Sequence, residues 1–253
     1  MSKNFFLEVC VDSVESAVAA GEGGAARVEL CANVKEGGTT PSAGMIKLVR
    51  ANISIGLNIM IRPRAGDFCY TDKEFAVMKE DVTLAKRLGA DGVVFGMLRS
   101  DGSLDSDRLR TLLDLARPMS VTFHRAFDAT ADLPMALEEI VSLGINRVLT
   151  SGGQETALEG IEMIRRLVQQ VRRRVQVMAG SGVNERNVGE IIKHGDVEEV
   201  HVMSAVSFLK RSRAGGQASF DKDIYVVDPK AVRRFVELGS SSLFAMDPSS
   251  STS

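Results

Sequence analysis

The chain has 253 residues, of which 44% are hydrophobic and 25% are charged. This composition is typical of a globular protein, and the length suits one large domain or two small ones. The formal net charge of -2 offers no basic surface for nucleic acid or for an anionic membrane. Because the apolar runs are shorter than the roughly 18 residues that span a bilayer, we expect no membrane segment.

The three cysteines are too few for a disulfide framework and indicate a reducing compartment. Residues 1–11 carry Glu8 inside an apolar run and lack a small-residue cleavage site, so they do not resemble a signal peptide. We therefore predict a cytoplasmic protein. Cys69 has no evident partner, and we expect it to be a buried packing residue.

Short strand-like runs alternate with amphipathic helical patterns along the whole chain. The predicted strands cover residues 5–11, 27–32, 57–62, 92–98, 121–126, 147–151, 175–179 and 197–204. The predicted helices cover residues 14–20, 42–51, 72–88, 105–116, 132–143, 156–174, 184–194 and 229–238, with 156–174 the longest. Ser42 is expected to cap the second helix, and Gly144 to end the fifth.

Eight β/α units with short connections predict a parallel sheet closed into a single (β/α)8 barrel of the TIM type, an α/β fold. An open, doubly wound sheet is the rival fold, but no G-x-G-x-x-G motif follows the first strand. We predict a barrel domain over residues 1–239. The Ser-rich residues 240–253 are predicted to form a disordered tail.

Ionisable residues recur on the predicted strands, although the interior of such barrels usually holds bulky aliphatic side chains. The candidate catalytic residues are Glu8, Glu29, Arg62, His124, Arg125, Asp128 and His201. Residues two apart share a strand face, and active sites of this fold lie at the C-terminal ends of the strands. Because buried charge is costly unless paired, these residues indicate either a reaction or ligand site or a compensated structural network.

Two further features suggest ligands. Cys10 and Cys31 occupy equivalent places in the phrases Glu-Val-Cys and Glu-Leu-Cys, so neighbouring strands could bring the two thiols together at the barrel mouth. A pair of thiolates suits a soft ion such as Cu(I) or Zn²⁺. The turn Gly180-Ser181-Gly182 follows strand seven and is a candidate anion site, because backbone N–H groups can approach an anion there. A plain tight turn is the alternative.

Several longer motifs occur in the order found in one protein family. The motifs are Glu8-Val-Cys10-Val-Asp12-Ser13, Arg27-Val-Glu-Leu-Cys31-Ala, Lys35-Glu-Gly-Gly-Thr-Thr-Pro-Ser42, Ile61-Arg-Pro-Arg64-Ala-Gly-Asp67-Phe, Val121-Thr-Phe-His-Arg-Ala-Phe-Asp128, Arg147-Val-Leu-Thr-Ser-Gly152 and Tyr225-Val-Val-Asp228. They resemble the CutC copper-homeostasis family over residues 5–205 and again, later in the chain, at 225–228. The resemblance implies a single (β/α)8 barrel that is cytosolic and oligomeric, with a role in copper handling, and it associates Cys10 and Cys31 with Cu(I).

The chain departs from the family pattern at the end of strand eight. The family typically has His-x-Ser-Ala there, whereas His201-Val-Met-Ser204-Ala205 contains one more residue. Because side chains alternate along a strand, His201 and Ser204 cannot both keep their usual facings without a bulge. The sequence leaves the facing of His201 open.

The first functional hypothesis is a cytoplasmic, homo-oligomeric copper-homeostasis protein that binds Cu(I), its copper ligand, through Cys10 and Cys31. Its weakness is electrostatic, because arginines at the barrel mouth disfavour a cation.

The alternative is a barrel enzyme that acts on a small anionic or phosphorylated metabolite. His124 would serve as acid or base together with Glu8 or Glu29. The residues that would hold the anion are Arg62, Arg64 and the turn Gly180-Ser181-Gly182. A scaffold that binds a protein partner is a third class, but no large apolar surface stripe supports it.

Overall fold

The computed structural model describes residues 4–210 and 224–244. Eight parallel strands form a closed barrel in chain order, and helices cover its outside, which confirms the predicted (β/α)8 fold. The barrel strands are β1 (Phe6–Val11), β2 (Arg27–Leu30), β3 (Gly56–Met60), β4 (Gly92–Phe95), β5 (Ser120–Phe123), β6 (Arg147–Thr150), β7 (Gln176–Ala179) and β8 (Glu199–Val202). The helices are α1 (Val14–Glu22), α2 (Ala43–Asn52), α3 (Asp72–Arg87), α4 (Ser106–Ala116), α5 (Leu133–Leu143), α6 (Ile161–Val171), α7 (Val188–Gly195) and α8 (Pro229–Phe244).

A small antiparallel sheet, which the sequence did not predict, lies between the last barrel strand and α8. It pairs β9 (Ser207–Lys210) with β10 (Ile224–Val227). Residues 211–223 lie outside the described part of the chain. Among the residues that the structure describes, each helix is too short or too polar to cross a bilayer.

The helix ends follow local capping chemistry. The Ser42 side chain accepts a hydrogen bond from the Met45 N–H at the start of α2, as predicted. Thr71 and Glu74 form a reciprocal capping box at the start of α3. Gly144 ends α5 with φ 76°, a left-handed conformation that favours glycine.

The prediction that 156–174 is the longest helix is wrong. α6 begins only at Ile161, and α3 and α8 are longer, with 16 residues each. Before α6 the chain turns at Gly152 and Gly153, which have φ values of 70° and 75°. The stretch 156–160 that follows forms a separate turn, in which the Glu159 N–H donates to the Thr156 hydroxyl and the Thr156 N–H donates to the Glu159 carboxylate, so α6 begins only after it.

The predicted boundary at residue 240 falls inside α8, which continues to Phe244. Phe235, Gly239 and Leu243 are buried at a four-residue spacing and continue the packed face of the helix beyond the boundary. The intervening serines lie in a helix that tertiary packing stabilises, and their low helix propensity is overridden. Residues 245–253 of the predicted tail lie outside the described residues.

Alternation along the strands separates two apolar layers. On β1, Leu7 and Val9 belong to the main core between the strands and the helices. Cys10, together with Cys31, Met60 and Val94, belongs to a small cluster inside the barrel. The ionisable strand residues face this interior. The expectation that Cys69 is buried is wrong, because its side chain is exposed in the loop after β3.

Candidate metal and ligand site at the barrel mouth

The N-terminal half of the barrel interior is filled by charged side chains. Arg27 on β2 pairs through Nε with Glu8 on β1, and its Nη2 lies 2.7 Å from Glu199 Oε2 on β8. Arg147 on β6 pairs with the same Glu199 at 2.5 Å. The Asn58 amide donates to Glu8 Oε2 at 3.2 Å. We call these five residues the basal network, and each of its buried carboxylates has a cation beside it.

Arg27 joins the two carboxylates of the basal network. Burial alone would lower the pKa of Arg27, but the Glu8 and Glu199 carboxylates raise it above its ordinary value. Arg27 and Arg147 were missed as interior residues by the sequence analysis. The signal was available, because Arg27 lies two residues before Glu29 and therefore shares its strand face.

The thiols and an ion pair lie nearer the C-terminal ends of the strands. The Cys10 and Cys31 sulfurs are 3.7 Å apart and share a hydrogen bond. The strand register places Cys10 opposite Glu29, whose Oε2 is 3.7 Å from the Cys31 sulfur. His201 Nε2 lies 2.8 Å from the same carboxylate oxygen and 3.9 Å from Glu8 Oε1. The structure thus brings together both cysteines, both predicted glutamates and His201.

The electrostatics of this layer favour ionised groups. Burial alone would lower the pKa of His201, but the Glu29 carboxylate raises it well above the ordinary histidine value. Burial raises the pKa of Glu29, but the facing imidazolium lowers it below its ordinary value. The hydrogen bond between the two thiols lowers the pKa of Cys10 and raises the pKa of Cys31. Cys10 is therefore the more acidic thiol of the pair.

The facing of His201, left open by the sequence, is inward. β8 ends at Val202, and Met203, with φ -137° and ψ -77°, leaves the extended conformation to begin a 3-10 turn. His201 and Ser204 both line the same cavity. The additional residue is accommodated by this turn, so no β-bulge is required.

Arg62 and His124 form another wall at the mouth. Arg62 is 5% exposed, and its Nη atoms donate to the backbone carbonyls of Glu36, Gly38 and Gly66 at 2.8–3.0 Å. Its Nε–H has no acceptor among residues 4–210 and 224–244. Phe68 covers both residues, since its ring centroid lies 5.3 Å from Arg62 Cζ and 4.8 Å from the His124 ring.

His124 is a buried, neutral imidazole. Its Nδ1 accepts a hydrogen bond from the Ala126 N–H at 3.2 Å, so the ring proton lies on Nε2. Burial, with the nearby Arg62 guanidinium, lowers the pKa of His124 to about 3. The Nε2–H has no hydrogen-bond partner in the described part of the chain. This environment suits a neutral donor better than the acid–base role considered from the sequence.

The remaining candidates occupy different surroundings. Asp128 accepts from the backbone N–H groups of Ser151 and Gly153 at 3.0 Å, and thereby ties the loop after β5 to the loop after β6. Arg125 lines the cavity but pairs with Asp128 at 2.9 Å. Arg64 is outside the cavity lining and pairs with Asp67 at 2.9 Å.

The glycine-rich turn after β7 contributes in part. Ser181 and Gly182 line the cavity, whereas the Gly180 N–H is used in a hydrogen bond to the Thr150 carbonyl at 3.0 Å. The cavity itself has a volume of about 600 Å³ and opens at the C-terminal ends of the strands, the usual position of the site in this fold. The thiols, the His201–Glu29 pair and the Arg62–His124 wall all contribute to its lining.

The fold and the site define a (β/α)8 barrel with a buried thiol pair beside an ionised histidine–glutamate pair. The chain belongs to the CutC family, whose profile matches residues 5–206. It is 50% identical over 200 residues to a human protein named copper homeostasis protein cutC homolog, covering 79% of this chain and 73% of the relative. It is 48% identical over 200 residues to a CutC family protein of Bacteroides fragilis, covering 79% and 80%.

One solved structure agrees with the family assignment, and a second shares the fold. The putative copper homeostasis protein CutC from Streptococcus agalactiae superposes with a TM-score of 0.75 at 33% identity, covering 78% of this chain and 97% of that one. The thiamine phosphate pyrophosphorylase from Pyrococcus furiosus superposes with a TM-score of 0.62 at 18% identity, covering 95% and 98%. The latter similarity concerns the barrel fold alone.

Proposed function

We propose that the protein binds one Cu(I) ion between Cys10 and Cys31 as its part in copper homeostasis. The observation that carries the proposal is the 3.7 Å separation of two buried thiols at the barrel mouth. Thiolate sulfur is the ligand type that selects Cu(I) over harder ions. The copper-related names of the relatives support the choice of this metal as cargo.

The sulfur separation constrains how the ion is held. With metal–sulfur bonds of about 2.3 Å, a linear dithiolate needs sulfurs roughly 4.6 Å apart, whereas a tetrahedral edge is roughly 3.8 Å. Linear Cu(I) coordination therefore requires the Cys10 and Cys31 sulfurs to move apart by about 1 Å. A bent site with a third ligand requires almost no movement, and Glu29 offers an oxygen within 4.8 Å of both sulfurs.

The charges around the site favour this complex. A Cu(I) ion with two thiolates carries a net charge of -1, so cations nearby stabilise the loaded site. Arg62 provides a positive charge on the cavity wall, and Arg64 and Arg125 are already paired with carboxylates. Arg62, whose charge disfavours a free cation, thus matches an anionic copper–dithiolate centre.

Competition against a chromogenic Cu(I) chelator tests the proposal under anaerobic, reducing conditions. We expect Cys10→Ser and Cys31→Ser each to weaken Cu(I) binding by at least about tenfold, because each removes one of two thiolate bonds. The double variant should lose specific binding. Cys69→Ser is the matched control, because it removes an exposed thiol outside the site. Unchanged Cu(I) affinity in the double variant would refute the proposal, and a preference for Zn²⁺ over Cu(I) would redirect it to zinc.

We also propose that the protein is cytoplasmic and homo-oligomeric, and that its barrel domain extends through α8 to Phe244 instead of ending at residue 239. The reduced cysteines support the first statement, and the family resemblance supports the second. Cell fractionation, analytical ultracentrifugation and limited proteolysis measure location, oligomeric state and domain boundary in turn.

A further inference from the structure

The Arg62–His124 wall carries hydrogen-bond donors that copper binding does not use. Arg27, Arg64, Arg125 and Arg147 each pair with a carboxylate, whereas the buried Arg62 has no carboxylate partner among the described residues. The backbone carbonyls that accept from its guanidinium are neutral, and its Nε–H has no acceptor among the described residues. A buried guanidinium without a counter-ion is unfavourable unless an anion completes its surroundings.

His124 adds a second unused donor on the same wall. Its side chain is 4% exposed, and the hydrogen bond that Nδ1 accepts from Ala126 directs the remaining proton to Nε2. That Nε2–H meets no acceptor in the described ranges. Buried donors in native proteins are usually satisfied by protein, water or ligand, so two unused donors on one cavity wall indicate a binding partner.

We propose that the Arg62–His124 wall is a binding site for the carboxylate or phosphate group of a small organic molecule, separate from the thiol pair. The site goes beyond the proposed copper binding, and its ligand is a second occupant of the same cavity. Phe68 covers the two side chains and would have to shift for an oxyanion to reach both donors.

The donor pattern sets the class of ligand. The Arg62 guanidinium and the His124 Nε2–H only donate, so they select a group rich in acceptor oxygens and reject ammonium groups. A guanidinium edge suits carboxylate and phosphate alike, because both present paired oxygens. The cavity of about 600 Å³ has the size of a small-molecule site.

The far side of the cavity is compatible with a ligand longer than a single oxyanion. Gly182 and Val183 line it, and their backbone N–H groups donate to no other residue within 4–210 and 224–244. The Tyr70 hydroxyl is also buried without a partner and lies near Arg62, but Tyr70 is not part of the cavity lining.

Calorimetric titration of the full, reduced and metal-free chain tests the site. The probes are inorganic phosphate, sulfate, acetate and citrate, each at constant ionic strength balanced with chloride. We expect saturable binding of at least one probe, weakened at least about tenfold in Arg62→Met and in His124→Asn. Asparagine keeps an acceptor for the Ala126 N–H and removes the Nε2–H, so this variant tests the site even if Arg62→Met fails to fold.

Two controls separate site binding from general charge effects. Arg186→Met removes the same charge from an exposed arginine in the loop after β7, which is not part of the cavity lining, and should bind like the wild type. Cys10→Ser with Cys31→Ser should also retain the anion affinity, whether or not copper binding is lost. Binding of phosphate and sulfate alone identifies a phosphate ligand, and binding of acetate and citrate alone identifies a carboxylate. The absence of saturable binding, or equal binding by Arg62→Met, His124→Asn and Arg186→Met, would overturn the proposal.

Discussion

The buried neutral state of His124 makes a quantitative prediction about pH and stability. In the folded protein its pKa is lowered to about 3, by burial first and by the Arg62 guanidinium second. In the unfolded chain the ordinary value of about 6.5 applies. Below pH 6.5 the unfolded state therefore binds a proton that folded His124 does not accept. This residue contributes stability above pH 6.5 and loses that contribution as the pH falls towards 3.

The size of the effect follows from the two pKa values. Between pH 7 and pH 5 folded His124 stays neutral while the unfolded histidine becomes protonated, which lowers the free energy of unfolding by about 2 kcal/mol. His124→Asn keeps the acceptor for the Ala126 N–H and removes the titrating ring. We expect the variant to lose about 2 kcal/mol less stability than the wild type over this pH interval.

Urea unfolding at pH 7 and pH 5, followed by circular dichroism, measures this difference. His201 contributes with the opposite sign, because its folded pKa is raised and its stabilisation is fully present at low pH. That contribution is common to both proteins and cancels in the comparison. If the variant and the wild type lose the same stability between pH 7 and pH 5, His124 is not neutral and buried as described.

Two further predictions concern the interior. Arg27→Met should lower the free energy of unfolding, measured by urea titration, by about 3–5 kcal/mol, because it leaves two buried carboxylates without their shared cation. Arg110→Met is the control: it breaks an exposed ion pair and should lower the same free energy by less than about 1 kcal/mol. Gly38→Ala should weaken Cu(I) binding more than Gly24→Ala. Both glycines have positive φ, 84° at Gly38 and 92° at Gly24, but only at Gly38 would the new Cβ lie 3.1 Å from the Cys31 sulfur. Equal Cu(I) affinities of the two variants in the chelator competition would contradict this account.

The barrel was predictable because its signals are local and repeated. Eight alternations of strand and helix patterns with short links leave few topologies for a chain of this length. The meeting of Cys10 and Cys31 was also predictable, since alternation places both on inner faces of neighbouring strands. Their distance was not, because it depends on the register between β1 and β2 and on the tilt of the strands.

Other features depend on contacts between residues far apart in sequence. Alternation could place Arg27 inside the barrel, but which cation pairs with Glu199 is decided by the approach of β2 and β6 across the interior, which no local pattern shows. The unpaired state of Arg62 depends on three loop carbonyls that surround its guanidinium. Likewise, α8 continues through a serine-rich stretch because Leu243 finds a packed environment.

The two apolar layers explain how the interior can be specialised for ligands. The main core between strands and helices holds most of the buried apolar side chains, and the cluster around Cys10, Cys31 and Met60 is separate from it. Burial of apolar surface is the dominant stabilising contribution, so the outer layer provides most of the folding free energy. The barrel interior then needs only to compensate its buried charges. In the basal network Arg27 and Arg147 do so by pairing with the Glu8 and Glu199 carboxylates. We therefore expect replacement of the thiols to change Cu(I) binding with little effect on the fold, which makes their serine variants informative about the proposed function.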